Sequence, residues 1–369
     1  MRNFIIPIFV PHIGCPNDCV FCNQRKITGI STDIDEDDVR DKIEEYLKTI
    51  PEDNRNLEIA FFGGSFTGIE LDIQKKFLDI AFSYKKRGIV NMIRISTRPD
   101  YIDSERIDIL KKRGVDTIEL GIQSLSSDVL KKSNRGHDRE SVFKAAEMIK
   151  ENDFTLGVQM MLGLPDDTEK KAIKTAKELI SLNPKIARIY PTLVIKETEL
   201  ENDYNNGEYK PLSLEESINL CKKIIYLFEK NGINIIRVGL QPSDNIAEGK
   251  DLVAGPFHPA YRQLVESEIY YDIIVYILSD LKKNILKASE IEIEIKSKLI
   301  SYISGQKRRN ILRLKDQFKI DKIKLRANDD LDQEIKVYLE KNRRQIISKV
   351  FDINIIKDRL YSYLLEDDS

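Results

Sequence analysis

The chain holds 369 residues, 41% of them hydrophobic and 33% charged, with a formal net charge of −2. That composition suits one large or two modest domains with real cores, and no apolar run approaches the roughly 20 residues of a membrane span. Its four cysteines, three of them bunched, exclude a disulfide framework and make the cytoplasm the expected compartment. The opening MRNFIIPIFVPHIGC carries one arginine and a short apolar run that leads straight into the cysteines, so it reads as a first strand and not as a leader.

From that strand the first half alternates between two hydrophobic periods. Strand-like runs fall at 4–10, 57–62, 91–96, 116–121, 155–161 and 186–191. Between them, at 35–50, 72–88, 104–114, 139–152 and 168–182, apolar residues recur every three or four positions, as on amphipathic helices. Gly88 and Gly114 stand where helices stop. Strand–helix repetition predicts a parallel sheet covered by helices; six units to residue 191 make the fold class α/β, a partial (βα)6 TIM-like barrel. The rhythm then weakens. A capped helix at 211–232 and a strand at 233–239 precede a long ordered loop at 240–262, rich in Gly, Pro and Asp. The Lys- and Ile-rich remainder, from about 265, shows no repeat and reads as a small mixed α+β C-terminal extension. The expected domains are 1–240 for the barrel core and 241–369 for the extension.

The chemistry centres on CPNDCVFC, residues 15–22, with Cys15, Cys19 and Cys22 at C-x3-C-x2-C spacing. A structural zinc site is the ordinary alternative, since Cys19 and Cys22 have the spacing of one half-site. The other half is hard to find. Cys221 falls in step with Ile218, Ile224 and Ile225 on a helix, which makes it a core residue, and His12 is the remaining neighbour. An iron–sulfur cubane takes four thiolates when closed, so three leave one iron open, as reactive metal sites require.

Three cysteines so spaced, directly after the first strand of a βα repeat, resemble the radical S-adenosylmethionine superfamily. The resemblance implies a [4Fe–4S] cluster held by Cys15, Cys19 and Cys22. Its open iron is chelated by S-adenosylmethionine, which one electron cleaves to a 5′-deoxyadenosyl radical. A donor such as flavodoxin or ferredoxin is then implied as a partner. Phe21 matches the aromatic position near the adenine. Gly63 and Gly64 in FFGGSFTG match the glycine motif that receives the cofactor's amino group, although Ser65 stands where many members have Glu. Ser96 in ISTRPD ends the third strand, where α/β barrels collect ligands. Gln123 and Arg135 match cofactor-contacting positions in the coproporphyrinogen-oxidase-like branch, and a guanidinium fork suits a carboxylate. Gln159 stands where that branch often has an Asp touching ribose.

Within the superfamily, STRPDYID, ELGIQS and above all IYPTLVIKETELENDYNNGEYKPLSLEE (189–216) resemble the catalytic subunit of the Elongator complex, over about residues 4–267. That branch modifies wobble uridines of transfer RNA with an additional acetyltransferase domain. The stretch after 267 is too short for one, so radical chemistry is expected here without acetyl transfer, or with a partner supplying it. Tyr190, His258, Tyr261 and Arg262 are placed by analogy near the barrel mouth, where a base could stack. Residues 305–327 hold nine Lys or Arg against two Asp, led by Lys307, Arg308, Arg309, Arg313 and Lys315, a stripe able to neutralise phosphates. The expected function is a radical enzyme modifying RNA, with transfer RNA as partner. The alternatives are a radical enzyme for a small-molecule or porphyrin-like substrate and, more distantly, a zinc-bearing RNA-binding module.

Overall fold

The computed structural model describes residues 2–10, 15, 19–23, 34–240, 250–286, 288–341 and 344–366. The chain divides into two compact units, Met1–Ser217 with Phe228–Pro259 and Ile218–Leu227 with Ala260–Ser369. Among the described residues no helix is long and apolar enough to cross a membrane.

The first unit is an open, curled sheet of seven parallel strands: β1 (Arg2–Val10), β2 (Arg55–Gly63), β3 (Met92–Thr97), β4 (Thr117–Gln123), β5 (Thr155–Leu162), β6 (Ile186–Pro191) and β8 (Asn234–Val238), hydrogen-bonded in that order with β1 and β8 at the edges. Helices α1 (Glu36–Leu47), α2 (Leu71–Lys86), α3 (Ser104–Lys112), α5 (Arg139–Glu151) and α6 (Glu169–Ser181) return the chain between strands. Their starts are written in the sequence. Asp35, Asp103, Asp138 and Thr168 each accept backbone N–H bonds of the first turn, satisfying donors that a helix leaves orphaned.

Register sorts the strand residues between two faces. Ile6, Ile59 and Ile93 align, as do Ile8, Phe61, Ile95, Ile118 and Leu156. All are nearly or fully buried and form the apolar layer. The alternate rows are polar: Ser96 aligns with Glu119, and Gly121, Gln159, Arg188 and Arg237 form one line across four strands. The barrel therefore keeps polar side chains on one face of its strands, charged on β2, β3, β4, β6 and β8 and an amide, Gln159, on β5.

Elements too short for a periodic signal complete this unit: α4 (Ser127–Lys132), β7 (Val194–Ile195), α7 (Glu199–Asn205) and β9 (Leu252–Ala254). The stretch expected as a loop over 240–262 is not loop throughout, because β9 pairs antiparallel with β7 and a helix begins at Tyr261; 241–249 lie outside the described residues. Helix α8 (Leu214–Lys230) opens on a Ser213–Glu216 capping box and contributes 218–227 to the second unit.

The second unit contains α9 (Tyr261–Asp280), α10 (Lys282–Ile285), β10 (Glu290–Ile295), α11 (Ile300–Ser304), α12 (Arg309–Phe318), β11 (Lys322–Ala327), β12 (Glu334–Lys341), β13 (Arg344–Asp352) and α13 (Ile353–Tyr361). Its sheet runs β11-β10-β12-β13, with β10 and β11 parallel and the other pairs antiparallel. Ile291, Ile293, Ile323, Ile335, Val337 and Leu339 are its buried face, and Val265, Ile269, Ile273 and Ile277 the buried stripe of α9.

Candidate active site

The ends of β1 to β5 bring the first unit's candidate residues together. Val10 closes β1, and the cysteine segment that follows is tied to other elements at two points and to itself at one. Val20 N–H donates to the Ser133 carbonyl at the end of α4 (3.3 Å), Leu200 N–H to the Val20 carbonyl (2.8 Å), and Cys22 N–H to the Cys19 carbonyl (2.9 Å). Phe21, 9% exposed, is packed into an apolar cluster with Val129, Leu164, Val194 and Leu200, against which Cys22 also rests.

Two buried arginines face the thiols. Arg135, 6% exposed, donates through Nη1 to Cys19 Sγ (3.1 Å) and through Nη2 to the Gly121 carbonyl (2.5 Å). Arg98, 3% exposed, forks onto Asp100 (2.9 and 2.8 Å) and reaches the Arg135 carbonyl (2.5 Å). Burial works against the Arg98 charge, but the Asp100 bond and charge and the nearby Cys19 and Cys15 more than restore it, so its pKa lies above the ordinary arginine value. Burial raises the Cys15 thiol despite a hydrogen bond from the Ser65 backbone, with Cys19 also raising it and the two arginines opposing. His137 is held as neutral imidazole, its pKa lowered to about 3 by burial first and then by Arg135 and Arg98. The Nε of Arg135 and Nη1 of Arg98 are buried without acceptors. Among the described residues no three Cys, His, Asp or Glu side chains stand close enough to share a metal ion. Residues 11–14, which include His12, and 16–18 lie outside the described residues.

The other expected cofactor positions line the same strand ends. Gly63 has φ +106°, and a Cβ there would lie 2.3 Å from the Val10 carbonyl oxygen. Close approach of β1 to β2 thus requires glycine on its own. Gly64 N–H donates to that same oxygen (3.0 Å), and Ser65 Oγ hydrogen-bonds Thr97 Oγ1 (2.8 Å) and accepts from Arg98 N–H (3.2 Å). Gln123 ends β4 at φ +71°, where the β4–β5 register shifts, and its Oε1 accepts from Gln159 Nε2 (3.3 Å). Ser96 donates to Glu119 (3.4 Å).

Sequence reasoning missed the charge ladder beneath these residues. Glu58 pairs with Arg94 (2.6 Å), Arg94 with Glu119 (3.5 Å) and Glu119 with Arg188 (3.0 Å), while Arg94 and Arg188 lie over the Phe62 ring. Burial raises the Glu58 pKa against the pull of Arg94. Arg188 Nη1 also donates to the Tyr190 hydroxyl (3.4 Å), which puts Tyr190 on the inner face. The signal was present: LEIAFF, MIRIST, DTIELG and IARIYP each carry a charge inside an otherwise apolar strand.

The remaining candidates lie on other elements, most of them in the second unit. His258 is half-buried near the end of the first unit. Tyr261 is 3% exposed in the second unit, hydrogen-bonded to the fully buried Cys221, whose thiol burial pushes far up. Arg262 pairs with Glu266 one turn on (3.6 Å). Five of the nine cations of the basic stripe have acidic partners. Arg313 is bidentate to Glu268 (2.8 and 3.0 Å), Lys319 pairs with Asp316, Lys322 and Lys324 share Glu290, and Arg326 reaches Glu292 and Glu294. Among the described residues Lys307, Arg308 and Arg309, all exposed, have no acidic partner.

A parallel βα half-barrel with thiols, arginines and amides gathered at its strand ends is the build of a barrel enzyme that assembles its reagents there. The profile of the Radical SAM superfamily matches residues 9–179 and that of the Radical_SAM C-terminal domain residues 184–271. The chain belongs to the radical S-adenosylmethionine superfamily. Enzymes of this superfamily use a [4Fe–4S] cluster and S-adenosylmethionine. The chain is 31% identical over 230 residues to protein MJ0486 of Methanocaldococcus jannaschii, covering 59% of this chain and 69% of that one. It is 29% identical over 196 residues to the tRNA uridine(34) acetyltransferase of Methanocaldococcus infernus, covering 48% of this chain but only 37% of that enzyme. A solved structure of Elp3 from Methanocaldococcus infernus superimposes with a TM-score of 0.58 at 24% identity, over 73% of this chain and 63% of that one, and shares the fold.

Proposed function

We propose that Cys15, Cys19 and Cys22 hold the [4Fe–4S] cluster, that Arg135 with Gln123 and Gln159 holds S-adenosylmethionine, and that the enzyme modifies transfer RNA. The observation that carries the site is the Arg135–Cys19 hydrogen bond at the ends of β1 and β4. It places a buried fork between a thiol and the inner face. The donor set fits the cofactors: three thiols offer three anionic ligands and leave one coordination position, and Arg98 and Arg135 each carry a buried N–H that lacks an acceptor. When bound, the cluster and S-adenosylmethionine supply one-electron reductive cleavage of a sulfonium bond, for which an electron donor such as flavodoxin or ferredoxin is needed.

The chain's own residues do the rest. Arg98 and Arg135 oppose the burial that raises the Cys15 thiol, and each leaves one N–H for a carboxylate. The joined amides of Gln123 and Gln159 offer donors and acceptors to hydroxyls. Packing of Phe21 among aliphatic side chains, with Cys19 in the same cluster, keeps water from the Cys19 thiol. Gly63, Gly64 and Ser96 fix the strand ends against which the cofactor would lie. The transfer RNA reading is supported by the activity named for the acetyltransferase relative and by unpaired cations at Lys307, Arg308 and Arg309. It is limited to the radical step, because the chain spans little more than a third of that relative.

The test compares nucleosides of bulk transfer RNA from a deletion strain and its parent by mass spectrometry. Loss of one modified nucleoside is expected. No altered nucleoside, together with no salt-dependent binding of transfer RNA, contradicts the reading and favours a small-molecule or porphyrin-like substrate.

A further inference from the structure

The second unit beyond residue 271 lies outside both matched family profiles, and it contains a groove of its own. Strand β10 leads through two helices, α11 and α12, to the parallel strand β11. The helices are joined by Gly305-Gln306-Lys307-Arg308. Gly305, Lys307 and Arg308 all have left-handed backbones, at φ +71°, +50° and +63°. Side-chain residues rarely adopt that conformation, and two in succession mean that the surroundings impose it. Asn310 is one such constraint. It is 2% exposed, its Nδ2 donates to the Ser267 carbonyl (2.8 Å) and to that of Tyr302 (3.3 Å), and a Cβ on Gly305 would meet its side chain at 2.8 Å.

The turn overhangs a cavity of about 600 Å³. One wall is Ser304, Arg308 and Ile311; the other is β11 from Lys322 to Arg326 with Glu292. Ile311, Ile323 and Leu325 give an apolar floor. Arg308 brings a cation with no acidic partner among the described residues, whereas Lys322, Lys324 and Arg326 are paired with Glu290, Glu292 and Glu294. Strand β11 is a sheet edge, bonded on one side to β10, so its outer N–H and C=O groups face the groove side unpaired by the sheet. Helix α12 opens without a capping side chain, leaving its first amides for an anion. Anion donors at a fixed turn, an apolar floor and an open strand edge match three parts of a single-stranded nucleic acid: phosphate, base face and base edge. A β-α-turn-α-β unit whose interhelical G-x-x-G turn clamps the backbone of about four nucleotides is how KH modules hold single-stranded RNA. Here Arg308 replaces the last glycine, yet keeps the left-handed course and adds a charge.

We propose that the groove between the Gly305–Arg308 turn and β11 binds single-stranded RNA, with phosphates at Lys307 and Arg308 and bases over Ile311, Ile323 and Leu325. The inference rests on the RNA reading above and gives it a recognition site outside the barrel. The test uses the full chain and fluorescence anisotropy with a short labelled single-stranded RNA of mixed sequence, the same sequence as DNA and as RNA duplex, and bulk transfer RNA. Lys307→Asp with Arg308→Asp reverses the charge, and Asp tolerates the left-handed region better than Lys or Arg. Lys307→Gly with Arg308→Gly removes the charge and relieves the backbone. The wild type is expected to prefer single-stranded RNA to duplex. The Asp pair should weaken it at least tenfold. The Gly pair should lower the slope of log affinity against log salt by about 1.4, two single-strand phosphate contacts at about 0.7 each. Wild-type preference for the duplex or for DNA overturns the inference. So does unchanged binding in the Asp pair while transfer RNA still binds, in which case RNA is held elsewhere and the general reading stands. Loss of all RNA binding in the wild type overturns both.

Discussion

His137 offers a test of the site's electrostatics that does not depend on turnover. It is buried beside two cations, Arg135 and Arg98, with Asp100 as the one opposing charge, and its pKa falls from the ordinary 6.5 to about 3. The unfolded chain therefore takes up a proton that the native state refuses. This stabilising contribution is fully present above pH 6.5 and is lost as pH falls toward 3. At pH 5 the unfolded imidazole is about 1.5 units into its titration, which at 1.36 kcal/mol per unit costs about 2 kcal/mol. His137→Gln removes the titration while keeping a polar side chain of similar reach. Urea denaturation of the cluster-free protein at pH 7.5 and pH 5 should give a stability difference between wild type and variant that moves by about 2 kcal/mol in the variant's favour at the lower pH. A movement under about 0.5 kcal/mol would mean that the imidazole is not held neutral beside the arginines.

Other consequences follow from packing and charge. Glu119→Gln leaves Arg94 and Arg188 with Glu58 as the one remaining carboxylate of the ladder, and loss of a buried partner costs about 3–5 kcal/mol; a urea midpoint equivalent to less than about 1 kcal/mol would show that the ladder is solvated. Gly63→Ala forces a Cβ against the Val10 carbonyl at a positive φ. Strain and overpacking together predict a loss of about 2–5 kcal/mol by thermal unfolding, and a variant as stable as the wild type would return Gly63 to a purely ligand-facing role.

Much of this architecture was legible in the sequence. The switch between period 2 and period 3.6 located all seven parallel strands, with β6 at 186–191 as expected, because buried parallel strands and their amphipathic helices carry opposite periodicities. Helices α4 and α7, at six and seven residues, complete too few turns to show a stripe, and β9 has only three residues to alternate. The charge ladder was hidden for a different reason. A lone Glu or Arg in an apolar strand reads as a blemish until register lines Glu58, Arg94, Glu119 and Arg188 up on one face. In the basic stripe, pairing was what composition could not show, because sequence cannot see that Glu268, Glu290, Glu292 and Glu294 arrive from α9 and β10 to pair with Arg313, Lys322, Lys324 and Arg326. Lys307 to Arg309 have no acidic partner among the described residues, and there backbone conformation, invisible in composition, marks the turn.

The central claim is that three clustered cysteines, with Arg135 beside them, form the reductive cleavage site. Its most direct test is anaerobic incubation of reconstituted, dithionite-reduced protein with S-adenosylmethionine, with 5′-deoxyadenosine measured by mass spectrometry. The wild type and Cys221→Ser should both release 5′-deoxyadenosine, whereas Cys15→Ser, Cys19→Ser and Cys22→Ser should each release none and lose iron. Release that persists without Cys19, or that disappears with Cys221, would contradict the account.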